Sequence, residues 1–349
     1  MKSEMKISAD FIRELPKTEL HCHLDGSLRI DTILDLAEKD KVAVPTRDPE
    51  KLRKLLTVTE NNISLPEYIK KFDLTLQFLQ TPESLIRTAF ELAEDCTREN
   101  VLYLEVRYSP ILHTQRGMTP MESVDAVIKG LKQAEEEFKI KTGVIICGIR
   151  SISPEVSYQL AELAVAFKNR GVVGFDLAGV EENFPAKDHK EAFYLILDNN
   201  INTTLHAGED YGPESIHQAV HYCGAHRIGH GVRLKEDGDL LNYINDHRIT
   251  MEICMTSNIH TGSVKSYAKH PFKFYYDYGL RVTLNTDNRL ISDTTLTKEY
   301  LLAHRYFNFT IRDFKEIIIN GFKSAFLPHR VRTAIIRRIA EELDTYVSV

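Results

Sequence analysis

Residues 144–177 read VIICGIRSISPEVSYQLAELAVAFKNRGVVGFDL, and they contain one strand–helix–strand unit. Val144–Ile149 and Val172–Leu177 are almost continuously apolar over the length of a strand, as expected for strands covered on both faces. Between them Ser153-Pro154 opens a helix, because proline at the first helical position has no intrahelical N–H bond to lose. Val156, Leu160, Ala164 and Phe167 then recur on one helical face. Two strands joined through a helix of this length pair in parallel by a crossover.

The same grammar extends in both directions. Thr81-Pro82 precedes ESLIRTAFELAEDC, with Leu85, Ala89, Leu92 and Cys96 in one stripe. Thr119-Pro120 opens a second helix with Glu122 completing a Thr-x-x-Glu capping box, and Gly212-Pro213 opens ESIHQAV. Further apolar runs at Thr18–Cys22, Leu102–Tyr108, Asn202–His206, Arg227–His230, Thr250–Cys254 and Val282–Asn285 bring the predicted strands to eight, the number that closes a parallel barrel. The expected class is α/β, a single TIM (β/α)8 barrel. Chain length alone, 349 residues at about 150 per domain, would suggest two domains. No linker or repeat divides the chain, however, and barrels run to ~250 residues or more as one unit. Residues 1–349 are therefore expected to form one domain. Segment 41–80 breaks the alternation and reads as two short helices inserted after the first βα unit, a helical lid at the barrel rim. TIRDFKEIIINGFKSAF and RVRTAIIRRIAEEL near the end read as additional amphipathic outer helices.

A hydrophobic fraction of 43% and a charged fraction of 27% exclude a disordered, collagen-like or coiled-coil chain. A net charge of -6 argues against a nucleic-acid or anionic-membrane partner. The five cysteines, at 22, 96, 147, 223 and 254, form no CxxC, so neither a disulfide framework nor a thiolate metal site is expected. MKSEMKISADFIREL carries acids and no apolar core, unlike a signal peptide, and no apolar run approaches the ~20 residues of a membrane span. A cytoplasmic protein is expected. The unusual entry in the composition is histidine, at 14 residues.

The first predicted strand ends in His21-Cys22-His23, where alternation places both imidazoles on one face and Cys22 on the other. His206 closes the fifth strand, His230 closes the sixth, and Asp287 follows the eighth. Strand ends of this polarity converge on one mouth of a barrel. Imidazole nitrogens with a carboxylate make a mixed donor set suited to zinc, iron or manganese. Glu209, in HAGE just beyond the fifth strand, is placed to act as a general acid or base beside such a site.

TELHCHLDGSLR, SLPEYIKKFD, YLEVRYSP, GFDLAG, LHAGED, RIGHGVRL, EICMTSN and LNTDN occur in the order seen in adenosine deaminases, and the chain resembles that family of the amidohydrolase superfamily from about Leu15 to the final helices. The resemblance implies one divalent metal ion, zinc, held by His21, His23, His206 and Asp287. It implies a water activated by that ion and oriented by Asp287 and His230, which take its proton, and a Glu209 carboxyl that protonates purine N1 while C6 is attacked. Ammonia and inosine would be the products. Gly179 would offer its N–H to purine N3, and His23 would border the substrate. Asp25, two residues after the HxH pair, would accept a hydrogen bond from the 5′ hydroxyl, which favours a purine nucleoside, ribo or 2′-deoxy, over a 5′-phosphorylated one. Leu65, Tyr68 and Phe72 of the inserted segment would form an apolar wall over the nucleoside.

The chain departs from the better-known form of the family at Asp287-Asn288-Arg289, where a second aspartate and a proline are usual. The second position faces purine N7, an acceptor. A carboxyl group donates to N7 only when protonated, whereas the Asn288 amide donates at any pH. Two other readings stay open on the sequence: a deaminase of adenine or of a modified nucleoside, and a catalytically inactive barrel acting as a binding protein. The PCxxC element of cytidine deaminases is absent.

Overall fold

The computed structural model describes residues 7–58 and 63–347. The first six residues of the stretch read against a signal peptide, and 59–62 of the inserted segment, lie outside the described residues. Eight strands run in chain order around one sheet: β1 Lys17–His23, β2 Val101–Tyr108, β3 Lys141–Ile149, β4 Val172–Ala178, β5 Asn202–Ala207, β6 Arg227–His230, β7 Thr250–Ile253 and β8 Val282–Leu284. Every neighbouring pair is parallel. A parallel bridge between Cys22 and Asp287 joins the last strand back to the first. The ring is a (β/α)8 barrel, and all eight strands fall where the apolar runs place them.

The strands are buried along almost their whole length, as their sequences require. The four proline-opened helices form at Pro82–Thr97, Pro120–Glu137, Pro154–Phe167 and Pro213–His221. Thr119 and Glu122 make the reciprocal capping box, and Thr81 and Ser84 make another. Helices without such punctuation, including Ile30–Lys39, Lys190–Asp198, Gly238–Asp246 and Leu296–Phe307, are visible only in the structure.

Among the described residues the inserted segment holds three helices rather than two: Pro49–Leu56, Leu65–Ile69 and Phe72–Leu76. Ser64 and Glu67 form a capping box that starts the second of them. The third follows after a break of two residues, too short to show as a gap in hydrophobic period. This segment is pinned to the barrel mouth by Val58 N–H donating to the Ile291 carbonyl at 2.8 Å and Ile63 N–H donating to the His260 carbonyl at 2.9 Å. The Tyr68 and Ser292 hydroxyls also meet at 2.7 Å. The C-terminal helices Ile311–Ser324 and His329–Val347 pack on the outside. Phe314, Ile317 and Ile318 of the first are fully buried there.

Candidate metal and active site

His21 and His23 point into the barrel from β1, His206 from the end of β5, and Asp287 from the turn after β8. Their ligand atoms all lie within 4.8 Å of one another. His206 Nε2 is 3.1 Å from both His21 Nε2 and His23 Nε2, and Asp287 Oδ1 is 3.4 Å from each of the same two nitrogens. Gly229 makes this approach possible: a Cβ there would meet the His21 ring at 2.9 Å.

The remaining ring nitrogens determine what the cluster can do. His21 Nδ1 lies 2.9 Å from Glu252 Oε2, and His206 Nδ1 lies 3.0 Å from Asp176 Oδ2. Each carboxylate accepts from an Nδ1–H, which directs the Nε2 lone pair into the cluster. Three facing imidazole nitrogens cannot satisfy one another with the few protons left to them. A divalent cation does satisfy them, and ligands about 2.0–2.1 Å from a shared ion stand roughly 3 Å apart. The donor set fits a metal.

Behind these ligands lies a layer of charge. Arg107 is fully buried, donating to Asp176 Oδ2 at 3.0 Å, to Glu252 Oε2 at 2.8 Å and to the Leu20 carbonyl at 2.7 Å. Glu252 Oε1 accepts from Thr204 Oγ1 at 2.9 Å and from Arg227 Nε at 2.5 Å. Burial alone would raise the Glu252 carboxyl, but Arg107 and Arg227 outweigh it and hold it well below the usual range. Arg107, Asp176 and Glu252 lie within YLEVRYSP, GFDLAG and EICMTSN, yet sequence reasoning assigned them no role. Their inward register on three strands was the available signal.

His230 closes β6 beside the cluster but takes part in a different chain of bonds. Phe272 N–H donates to His270 Nδ1 at 3.1 Å, so the His270 proton sits on Nε2, which meets Asn258 Oδ1 at 3.1 Å. The Asn258 amide then donates to His230 Nδ1 at 3.0 Å. A neutral His230 bonded in this way carries its proton on Nε2. That atom has no hydrogen-bond partner and stands 3.5 Å from Glu209 Oε2. Burial, followed by the neighbouring His21, keeps the His230 imidazole well below its ordinary range and thus neutral. Burial, followed by the Asp287 and Glu181 charges, pushes the Glu209 carboxyl well above its usual range. Glu209 Oε1 accepts from Thr261 Oγ1 at 3.1 Å.

A cavity of ≈ 360 Å3 opens onto these groups. His23, His206, Glu209, His230 and Asp287 line it on one side, Asp25, Gly179 and Asn288 line it elsewhere, and Leu65, Tyr68 and Phe72 of the inserted segment border it. Of the residues singled out in the sequence, His21 alone is not in the lining; it sits behind, fully buried. Gly179 adopts φ 103°, which only glycine holds without strain. Asp25 Oδ1 and Asn288 Oδ1 are buried without a partner. Phe72 approaches the His23 ring, with centroids 6.4 Å apart. Cys22 faces away from the cluster towards Ser27, and all five cysteines are buried free thiols.

Comparison with known proteins places this site in context. The family model described as "Adenosine deaminase" matches residues 16–342. A protein named "Adenosine deaminase" from Clostridium acetobutylicum is 39% identical over 328 residues, covering 94% of this chain and 98% of that protein. A "Probable adenosine deaminase" from Dictyostelium discoideum is 40% identical over 337 residues, covering 97% of this chain but only 44% of that longer protein. Among solved structures, the N6-methyl-AMP deaminase of Arabidopsis thaliana superposes with a TM-score of 0.84 at 29% identity, covering 96% of this chain and 98% of that one.

Proposed function

The chain belongs to the adenosine deaminase family, and on that premise we propose that it hydrolyses adenosine and 2′-deoxyadenosine to inosine or 2′-deoxyinosine and ammonia. One divalent ion, zinc in this reading, would be held by His21, His23, His206 and Asp287; when bound it supplies a Lewis acid that lowers the pKa of water towards neutrality.

The side chains divide the remaining work. Glu209, kept protonated by burial, donates to purine N1 and draws electron density away from C6. The resemblance gives His230 a share in taking the water's proton, but Nε2 presents an N–H rather than a lone pair, so in this proposal His230 orients the attacking water as a donor only. The proton of that water goes to the Asp287 carboxylate, whose Oδ2 is steadied by Ser257 Oγ at 2.6 Å. C6 gains the water oxygen, the amine takes the proton held by Asp287, the C6–N6 bond breaks with its electron pair to release ammonia, and the remaining O6 proton returns to Glu209, leaving N1 protonated in inosine.

Asp25 supplies the choice of substrate. Its buried, unpartnered Oδ1 is an acceptor for the 5′ hydroxyl and a poor neighbour for a 5′ phosphate. Gly179 N–H meets N3, and the Asn288 amide donates to N7. Leu65, Tyr68 and Phe72 cover the nucleoside, so the 41–80 segment acts as the lid of a single 1–349 deaminase domain. Five free thiols suit a reducing cytoplasm. Among the described residues, no helix is long and apolar enough to cross a membrane.

The observation that carries this reading is that three of the four metal donors (His23, His206 and Asp287), Glu209 and Asp25 all open onto one cavity of nucleoside size. A steady-state assay of adenosine, 2′-deoxyadenosine, adenine, AMP and N6-methyl-AMP tests it. Adenosine and 2′-deoxyadenosine are expected to have the highest kcat/KM. Preferred turnover of adenine or of either nucleotide overturns the assignment.

A further inference from the structure

The loop that carries Glu209 is held by a group outside the machinery above. Glu181, on the loop after β4, turns a buried carboxylate towards residues 208–210. Glu181 Oε2 accepts from Gly208 N–H at 2.8 Å, and Glu181 Oε1 accepts from Glu209 N–H at 2.8 Å and from Asp210 N–H at 3.0 Å. Three successive backbone N–H groups on one carboxylate form an anion nest. Arg233 N–H also donates to the Gly208 carbonyl at 3.1 Å, whereas the helix that follows starts at Pro213 without a side-chain cap. The nest also depends on Gly208, which has φ 68° and whose Cβ would meet Ile216 at 2.4 Å. Arg150 braces the same region, donating to the carbonyls of His206 and Phe184.

We propose that Glu181 is a positioning residue for the Glu209 carboxyl: by clamping the 208–210 backbone it aims that carboxyl into the cavity, at the site of proton donation. This rests on the assignment of Glu209 as the general acid. A clamp of this kind is catalytic only through Glu209, which distinguishes it from a carboxylate that merely satisfies buried N–H groups. A displacement of about 1 Å in an acid of this type costs on the order of 10²-fold in rate.

The carboxyl being aimed is surrounded by further charge. Asp210 lies on its own loop, Asp287 on the turn after β8, His230 at the end of β6 and Glu181 on the loop after β4; Thr261 is its hydrogen-bond donor. Removing the Glu181 charge therefore makes Glu209 easier to ionise, and its titration moves to lower pH.

The test is a double-mutant cycle between Glu181→Gln and Glu209→Gln on the metal-loaded enzyme with adenosine, together with direct titration of Glu209 by 13C carboxyl NMR in the absence of substrate. Glu181→Gln is expected to lower kcat/KM by tenfold or more in the wild-type background, by less than about twofold in the Glu209→Gln background, and to move the Glu209 midpoint down. Metal content is expected to be unchanged. Equal losses in both backgrounds, or an unmoved midpoint, overturn the clamp and leave Glu209 as the acid. If Glu181→Gln folds poorly, Glu181→Asp serves the cycle, because it keeps the charge and withdraws the oxygens from the nest; additive loss there overturns the proposal equally. Full activity of Glu209→Gln instead overturns the assignment of the acid, and the clamp falls with it.

Discussion

Asp287 and Cys22 form the bridge that closes the barrel: Asp287 N–H donates to the His21 carbonyl at 2.8 Å, and His23 N–H donates to the Asp287 carbonyl at 2.7 Å. The backbone that completes the ring is thus the backbone that sets three of the four candidate metal donors. Asp287 pays a local cost there, holding φ 63°, in the left-handed region that non-glycine residues seldom adopt; His230, at φ 65°, does the same. Two chemistry-bearing residues are in this way held in strained backbone by the surrounding sheet.

The donor set is expected to fail as a unit. Asp287→Ala or His206→Ala should reduce bound metal below about a tenth of the wild-type content and lower kcat by at least ~10³-fold, as measured by metal analysis on the assayed protein. Full metal retention in both variants would remove these residues from the coordination set.

Glu209→Gln separates acid catalysis from metal binding. The amide has nearly the shape of the protonated carboxyl but cannot transfer its proton to N1. Metal content should stay at the wild-type level while kcat falls about 10²–10⁴-fold with little change in KM. A loss confined to KM would make Glu209 a binding group instead.

The buried layer behind the ligands should tune the ion. Glu252→Gln removes the charge that His21, Arg107 and Arg227 all face. Metal affinity is expected to weaken about 10–100-fold in chelator competition. Stability should also fall, by roughly 3–5 kcal/mol in denaturant unfolding, because buried guanidinium groups lose their partner. An unchanged affinity would reduce this layer to a folding role.

Asp25→Ala should blunt discrimination at the 5′ position. The kcat/KM for adenosine is expected to drop about tenfold or more, whereas that for 5′-deoxyadenosine, which has no hydroxyl to lose, should hardly move. Parallel losses on both substrates would mean that Asp25 does not contact the 5′ group.

Asn258→Ala probes the chain from His270 to His230. Without the amide donor the His230 ring is free to place its proton on Nδ1, and Nε2 then turns a lone pair to the cavity. The 15N shifts of the His230 ring report the tautomer directly and should reverse, with a fall in kcat of about tenfold. Unchanged ring shifts would show that Asn258 does not select the tautomer.

Much of this was legible along the chain because the relevant rules are local. Apolar runs in VIICGI and VVGFDL, proline at helix starts and the alternation in His21-Cys22-His23 depend on neighbours a few residues away. Once strands and helices alternate eight times, parallel closure brings the C-terminal strand ends together, so His206, His230, Asp287 and Glu209 could be assigned to one mouth without coordinates. The split between Leu65–Ile69 and Phe72–Leu76 was not legible, since a break of only two residues leaves one continuous apolar period.

Other features belong to the tertiary structure alone. Arg107, Asp176 and Glu252 read along the chain as isolated charges in apolar strands. Their meaning comes from pairing across the barrel over separations of 69 and 145 residues. The proton on His230 Nε2 depends on Asn258 and His270, and the aim of Glu209 depends on Glu181. A hydrogen bond has direction and a reach of about 3 Å, and a one-dimensional pattern carries neither. Sequence therefore determined which chemistry the chain can assemble, while the folded barrel decided which nitrogen holds the proton, which carboxyl keeps one and what holds each in place.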